Sequence, residues 1–129
     1  MKFKYTILYV KNVKETMEFY NRAFGFKTKF LHESEDYGEL DTGATSLSFS
    51  SLELMSQLEK NPGKADANSP VFEIAFETDN VEDALKKAIE AGAILVQDVR
   101  EEPWGQTTSY VSDLNGYLVE ICSPVKVEM

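Results

Sequence analysis

Apolar and polar positions follow the same order twice along the chain. A short β-type run, Tyr5–Val10, precedes a segment with apolar residues at helical spacing that begins at Asn12, and Glu73–Thr78 likewise precedes a segment that begins at Asn80. The offset between the copies is 80 − 12 = 68 residues. At this offset the apolar stripes coincide: Val13, Met17 and Tyr20 correspond to Val81, Leu85 and Ala88. A fixed offset between similar segments predicts two copies of one structural unit.

Each copy is predicted to contain a strand, a helix and three further strands. In the first copy the strands are expected at 3–10, 27–32, 37–41 and 46–51, with the helix at 13–24 and Gly25 ending it. In the second copy the strands are expected at 71–78, 94–100, 107–112 and 117–122, with the helix at 81–91. Asn115-Gly116 predicts a two-residue hairpin turn, because both positions tolerate positive φ.

The predicted fold class is therefore α+β, with two βαβββ modules that pair as mixed sheets around a cavity. We expect one domain over residues 1–129, made of repeats at about 1–52 and 70–124. Residues 53–69 are rich in Pro, Gly, Asn and Ser and predict a connector, with a short helical turn near residues 54–58.

Charge and composition narrow the classes of partner. Thirteen basic and 22 acidic residues give a formal net charge of −9 among 129 residues, which disfavours nucleic acid and anionic membrane surfaces as partners. The single cysteine, Cys122, lies in an apolar run and is interpreted as a buried residue rather than a nucleophile. The sequence shows neither a secretion leader nor an apolar run long enough for a membrane span, so a cytoplasmic location is expected.

Several motifs resemble those of the vicinal oxygen chelate superfamily, which includes glyoxalases, extradiol dioxygenases and bleomycin-binding resistance proteins. The resemblance covers nearly the whole chain. It rests on Tyr9-Val10-Lys11-Asn12-Val13, Glu18-Phe19-Tyr20, Phe24-Gly25-Phe26, Glu102-Pro103-Trp104-Gly105 and the turn and strand from Asp113 to Glu120. It implies a homodimer and a small organic ligand, and it favours the metal-free, resistance-type members.

Metal-binding relatives draw one ligand from the first strand and one from the last strand of each module, often two His and two Glu. Carried over by position, these places hold Tyr5 and Glu73 in the first strands and Ser48 and Glu120 in the last strands. A phenol and a hydroxyl are weak donors for a transition metal, so no metal cofactor is expected and a divalent metal is disfavoured. His32, the single histidine, maps to no ligand place and is interpreted as a surface or strand-end residue.

Glu73 interrupts an apolar run, and two interpretations stay open. Either it faces Glu120 across the cavity, where mutual repulsion raises the pKa of at least one carboxyl and makes a candidate general acid or base, or it points to solvent or bonds Tyr5 or Ser48. Trp104 and Tyr110 are candidates for flat walls of a binding site.

Two functions from different classes follow. The favoured hypothesis is a small-molecule-binding protein with a degenerate metal site that uses Tyr5, Ser48, Glu73, Trp104, Tyr110 and Glu120. The alternative is a glyoxalase- or dioxygenase-like enzyme, which is either metal-dependent with unusual ligands or uses Glu73 and Glu120 as acid and base. A subunit with a filled cavity is a third possibility.

Overall fold

The computed structural model describes residues 1–125 and divides the chain into two compact units, Met1–Lys64 and Ala65–Met129. Each unit contains one four-stranded mixed sheet and one long helix. The predicted order of a strand, a helix and three strands is therefore confirmed in both units.

The first unit begins with β1 (Tyr5–Val10) and α1 (Val13–Phe24), which are followed by β2 (Lys27–Leu31), β3 (Tyr37–Asp41), β4 (Ser46–Ser51) and the short α2 (Leu52–Gln57). The strand order across its sheet is β1-β4-β3-β2. Strand β1 runs parallel to β4, and the other neighbours are antiparallel. The short helix lies slightly earlier than the predicted turn, because the Ser51 side chain accepts a bond from the Leu54 N–H at 3.0 Å and starts the helix there.

The second unit repeats this arrangement with β5 (Glu73–Glu77), α3 (Val81–Glu90), β6 (Ile94–Glu101), β7 (Thr107–Ser112) and β8 (Leu118–Cys122). Its strand order is β5-β8-β7-β6, and again the first strand of the unit runs parallel to the last. The two modules therefore share topology as well as element order, although their sequences differ.

One face of each sheet forms the core with the long helix of the same unit. In the first unit the core includes Leu8, Val10, Val13, Met17, Tyr20, Leu40, Leu47 and Phe49. In the second unit it includes Val81, Leu85, Ala88, Val111, Val119 and Ile121. Because side chains alternate along a strand, this apolar face assigns the residues between these positions to the opposite face. Tyr110 and Glu120 lie on that opposite face of the second sheet.

Both long helices begin at an asparagine. The Asn12 Oδ1 accepts from the Glu15 N–H at 2.9 Å, and the Asn80 Oδ1 accepts from the Asp83 N–H at 3.1 Å. These bonds satisfy a donor that the first turn of a helix leaves free. Gly25 ends α1 at φ 76°, as predicted.

The turn between β7 and β8 differs from the predicted two-residue hairpin. Gly116 has φ 90°, but Asn115 has no positive φ. The buried Asp113 organises the loop instead, since its Oδ1 accepts from the N–H groups of Asn115 at 2.8 Å and Tyr117 at 2.9 Å. A side-chain carboxylate therefore replaces the tight turn that the Asn-Gly pair predicted.

Candidate functional site

The polar face of the second sheet holds most of the titratable groups that the sequence singled out. Strand pairing places Glu120 opposite Ala75 on one side and Tyr110 on the other, and places Tyr110 opposite Gln97. Paired residues project from the same face of a sheet, and so do residues two apart on a strand. We call this surface the second-sheet polar face and define it by Glu73, Gln97, Arg100, Thr108, Tyr110 and Glu120.

At the centre of the second-sheet polar face, the Tyr110 hydroxyl donates to the Glu120 Oε2 at 2.6 Å. Burial is the largest cause that raises the pKa of Tyr110, and the hydrogen bond to Glu120 with that carboxylate's charge adds to the rise. The charge of Glu73 and a hydrogen bond to it raise the pKa of Tyr110 further. Two carboxylates therefore approach one protonated phenol.

The Tyr110 phenol is expected to stay protonated at about pH 10, where ordinary tyrosines ionise. The folded state then holds this proton more tightly than the unfolded chain does. Its contribution to stability is fully present below about pH 10 and is lost as the pH rises towards the folded-state pKa. In a near-ultraviolet titration, Tyr110→Phe should leave the tyrosinate absorbance at about pH 10 unchanged. A loss of absorbance in the variant would show that Tyr110 ionises like an ordinary phenol.

A second cluster lies next to Tyr110 on the same face. The Glu102 Oε1 accepts from the Arg100 Nε at 2.7 Å and from the Thr108 hydroxyl at 3.0 Å. The Gln97 Nε2 donates to the Thr108 hydroxyl at 3.4 Å. The hydrogen bond from Arg100 is the largest cause that lowers the pKa of Glu102. Glu102 is therefore an ionised carboxylate, and it holds Arg100 in place.

The corresponding face of the first sheet carries tyrosines and serines. The Tyr37 hydroxyl lies 3.2 Å from the Glu39 Oε2 and 3.2 Å from the Ser48 Oγ. Burial raises the pKa of Tyr37, the Ser48 hydrogen bond lowers it, and the Glu39 charge raises it again. Ser48 and Ser50 are buried.

Strand register places the four predicted ligand positions equivalently in the two units. Tyr5 pairs with Ser46, two residues before Ser48, and Glu73 pairs with Leu118, two residues before Glu120. Within the second unit, Tyr110 joins Glu73 and Glu120 through its contacts with both. Within the first unit, Tyr5 and Ser48 share Tyr37 as an interaction partner. Among residues 1–125, no three His, Cys, Asp or Glu side chains are grouped so as to hold a metal ion.

Trp104 lies outside these strands, in the turn between β6 and β7, where Gly105 has φ 83°. It is 56% exposed, and its indole Nε1 donates to the Gln106 Oε1 at 2.7 Å. Gln106 in turn donates to the Ser123 carbonyl at 3.0 Å. These two bonds hold the indole at the surface of the second unit.

Two other residues have the environments predicted for them. His32 is an exposed strand-end residue whose Nδ1 lies 2.8 Å from the Ser34 hydroxyl. Cys122 is buried, and burial is the largest cause that raises the pKa of its thiol, with the Glu120 charge next. The burial of Cys122 confirms its interpretation as a buried residue. The raised pKa disfavours the thiolate, which is the nucleophilic form of the side chain.

An open groove of about 670 Å³ lies on the helix side of the second unit, between α3 and β6. Its walls combine apolar and charged side chains, most of the charged ones acidic: Glu82, Leu85, Lys86, Ile89, Glu90, Leu95, Asp98, Val99 and Glu101. None of the six predicted ligand-binding residues lines it.

Sequence reasoning missed three members of the second unit's candidate site, namely Gln97, Arg100 and Glu102. A signal was present for Glu102, since it opens the Glu-Pro-Trp-Gly motif that supported the family resemblance. For Gln97 and Arg100, the alternation of side chains along β6 gave no correct indication of the face on which they lie. The register of β6 against β7 shifts twice, between Leu95 and Gln97 and between Gln97 and Arg100, so simple alternation assigns these side chains to the wrong faces.

Several solved structures share the fold of this chain. A glyoxalase-related enzyme from Fulvimarina pelagi superposes with a TM-score of 0.83 at 16% identity, over 96% of this chain and 88% of that one. A glyoxalase/bleomycin resistance protein/dioxygenase family enzyme from Burkholderia phytofirmans PsJN superposes with a TM-score of 0.81 at 20% identity, over 95% of this chain and 98% of that one. A glyoxalase/bleomycin resistance protein/dioxygenase from Nocardioides superposes with a TM-score of 0.77 at 12% identity, over 99% of this chain and 86% of that one. These likenesses extend over nearly the whole of this chain.

Residues 3–126 match the Glyoxalase-like domain family, and the chain belongs to it. The predicted superfamily resemblance is thus confirmed. No curated protein sequence matches the chain significantly. Within residues 1–125, no helix is both long and apolar enough to cross a membrane.

Proposed function

We propose that the protein binds a small organic molecule, in the manner of the resistance-type members of its superfamily, and that the second-sheet polar face holds a cationic group of that molecule. The observation that carries this proposal is the 2.6 Å hydrogen bond from Tyr110 to Glu120, with Glu73 acting on the same phenol. Glu120 is half-buried and also interacts with the Cys122 thiol. A carboxylate has about four acceptor sites, so it can still accept a hydrogen bond from a ligand. An ammonium group matches this arrangement in charge and in hydrogen-bonding capacity.

The donor chemistry supports binding without a transition metal. Of the four ligand positions, Tyr5 and Ser48 offer a phenol and a hydroxyl, and Ser48 already bonds Tyr37. Tyr110 retains its proton and uses it on Glu120, so it supplies no phenolate. Catalytic zinc sites usually have three strong protein ligands. The residues present do not fit that requirement, so we derive no step through a metal.

Binding of benzylamine, an aromatic ammonium compound, tests this function. Glu120→Gln is expected to weaken it about tenfold or more, because a hydrogen bond to a charged group contributes about 1.5–3 kcal/mol. The measurement is a titration followed by protein amide chemical shifts. Glu90→Gln is the matched control, since it removes the same charge from the exposed end of α3 and should leave the affinity unchanged. Equal weakening in both variants would mean that only overall charge attracts the ligand.

Native mass spectrometry and elemental analysis of the same preparation complete this test. After dialysis against a mild chelator, we expect less than one equivalent of transition metal and a mass corresponding to a homodimer. A stoichiometric metal would contradict the proposal. A cytoplasmic location remains part of the proposal, and fractionation of the host cell checks it.

A second candidate, a metal-free acid/base enzyme, is favoured by the same contact between Tyr110 and Glu120. A carboxylate that accepts a short hydrogen bond beside a second carboxylate can remove a proton from a ligand. In that case Glu73→Gln and Glu120→Gln should each abolish turnover while the fold stays intact. Unchanged rates in both variants would exclude this candidate.

A further inference from the structure

Arg100 is positioned so that part of its guanidinium can reach a ligand. Its Nε donates to the Glu102 Oε1 at 2.7 Å, and the side chain is 61% exposed. Because this bond uses Nε, the edge formed by the two terminal amino groups remains directed away from Glu102. Two parallel N–H donors on such an edge match the two oxygens of a carboxylate.

The carboxylate that orients Arg100 is itself fixed. Only 6% of the Glu102 side chain is exposed, and its Oε1 also accepts from the buried Thr108 at 3.0 Å. Gln97 donates to the same Thr108 hydroxyl. An arginine held by a fixed carboxylate loses less side-chain freedom when it binds a ligand than a free surface arginine does.

Strand register places Arg100 on the same face as Tyr110 and Glu120. Arg100 pairs with Thr108 on β7, Tyr110 lies two residues further along that strand, and Tyr110 pairs with Glu120 on β8. Strand β7 lies between β6 and β8 in the sheet, so the backbones that carry Arg100 and Glu120 are about 10 Å apart across the strands. Arg100 also interacts electrostatically with Tyr110. Positive and negative groups therefore lie within the length of one small molecule.

We propose that the second-sheet polar face recognises a zwitterionic small molecule, with its ammonium group on Glu73 and Glu120 and its carboxylate on the terminal amino groups of Arg100. This inference rests on the proposed function and adds the class of ligand. Glu73 and Glu120 outnumber Arg100 on this surface, and Arg100 is already paired with Glu102, so a simple anion is repelled. An anion that is joined to a cation overcomes this repulsion, because Glu73 and Glu120 attract its other end.

Three matched probes test the inference: 4-(aminomethyl)benzoate, benzylamine and benzoate. The first carries an ammonium group and a carboxylate at opposite ends of a benzene ring, and each of the others carries one of these charges. We expect the zwitterion to bind about tenfold more tightly than benzylamine, and benzoate not to bind. Affinities come from amide shifts, and the shifts of the terminal N–H groups of Arg100 report contact with the carboxylate.

Arg100→Gln should remove the advantage of the zwitterion, measured as the ratio of its affinity to that of benzylamine in the same variant. Arg100→Lys should keep only part of the advantage, because lysine has the charge without the paired donors. Lys86→Gln is the matched control, since it removes one positive charge from α3 and should retain the full advantage. Thermal unfolding of each variant checks that the fold is intact.

The possible outcomes separate the inference from the function on which it rests. If benzylamine binds and the zwitterion binds no better, the inference is wrong while the proposed cation site stands. If the advantage survives Arg100→Gln, the assignment to Arg100 is wrong. If neither benzylamine nor the zwitterion binds, both proposals fail.

Discussion

Phe49→Ala is expected to lower the free energy of unfolding by about 3–5 kcal/mol, because it removes a large buried ring and leaves a cavity. Phe49 is 0% exposed on β4, and its ring lies 5.1 Å from that of the equally buried Tyr20 on α1. The ring therefore joins the sheet of the first unit to its helix. Urea denaturation followed by circular dichroism measures the loss.

Phe30→Ala is the matched control, since it makes the same chemical change on β2 where the ring is 46% exposed. We expect its cost to be less than half of that for Phe49→Ala, because little apolar surface is removed from the core. Comparable losses in the two variants would contradict the assignment of the core to the helix side of the first sheet.

Gly116→Ala is expected to cost about 2–4 kcal/mol, because two penalties add at this position. Gly116 has φ 90°, a conformation that L side chains rarely adopt. A Cβ at this position would also clash with the backbone oxygen of Ala65, which cannot move as a flexible side chain can. The same denaturation experiment measures the effect. A strained turn would also displace β8, which carries Glu120.

Gly25→Ala separates these two penalties. Gly25 has φ 76° but has no atom within 4 Å of an added Cβ, so it carries the conformational penalty alone. Its expected cost is about 1–2 kcal/mol. If Gly116→Ala proves no more costly than Gly25→Ala, the close approach to Ala65 does not constrain the turn.

The environment of Glu73 could not be chosen from the sequence alone. As an interruption of an apolar run, it allowed either a buried carboxylate or a solvent-facing one. The structure gives it an exposed position with an interaction to Tyr110. Exposure removes most of the desolvation cost, and the neighbouring phenol gives the carboxylate a partner. Both features suit a group that attracts a ligand from solvent.

Tyr110 itself was predicted as a flat wall of the site, and its hydroxyl has the stronger claim to a functional role. The pairing of Tyr110 with Glu120 depends on the register of β7 against β8. Sequence patterns fix which residues alternate on one strand, but they do not fix which residues of two strands lie opposite each other. The 2.6 Å hydrogen bond from the Tyr110 hydroxyl to Glu120 could therefore not be predicted from the sequence.

The sequence by itself determined the repeated order of strands and helices. Its apolar spacing, the asparagines at the helix starts and Gly25 at a helix end are local features, and local features decide secondary structure when they agree. The same periodicity identified the core face of each helix. The sequence also determined that two of the four ligand places hold weak metal donors, because residue type alone fixes that chemistry.

Only the tertiary structure decided which side chains act together. The β6 register shifts put Gln97 and Arg100 beside Thr108 and Tyr110, and the Asp113 carboxylate shaped the turn that the Asn-Gly pair had assigned to a tight hairpin. These arrangements depend on hydrogen bonds between different strands and on side-chain bonds to the backbone within the folded loop. Their energies exist only once the sheet has formed, so no pattern of neighbouring residues along the chain encodes them directly.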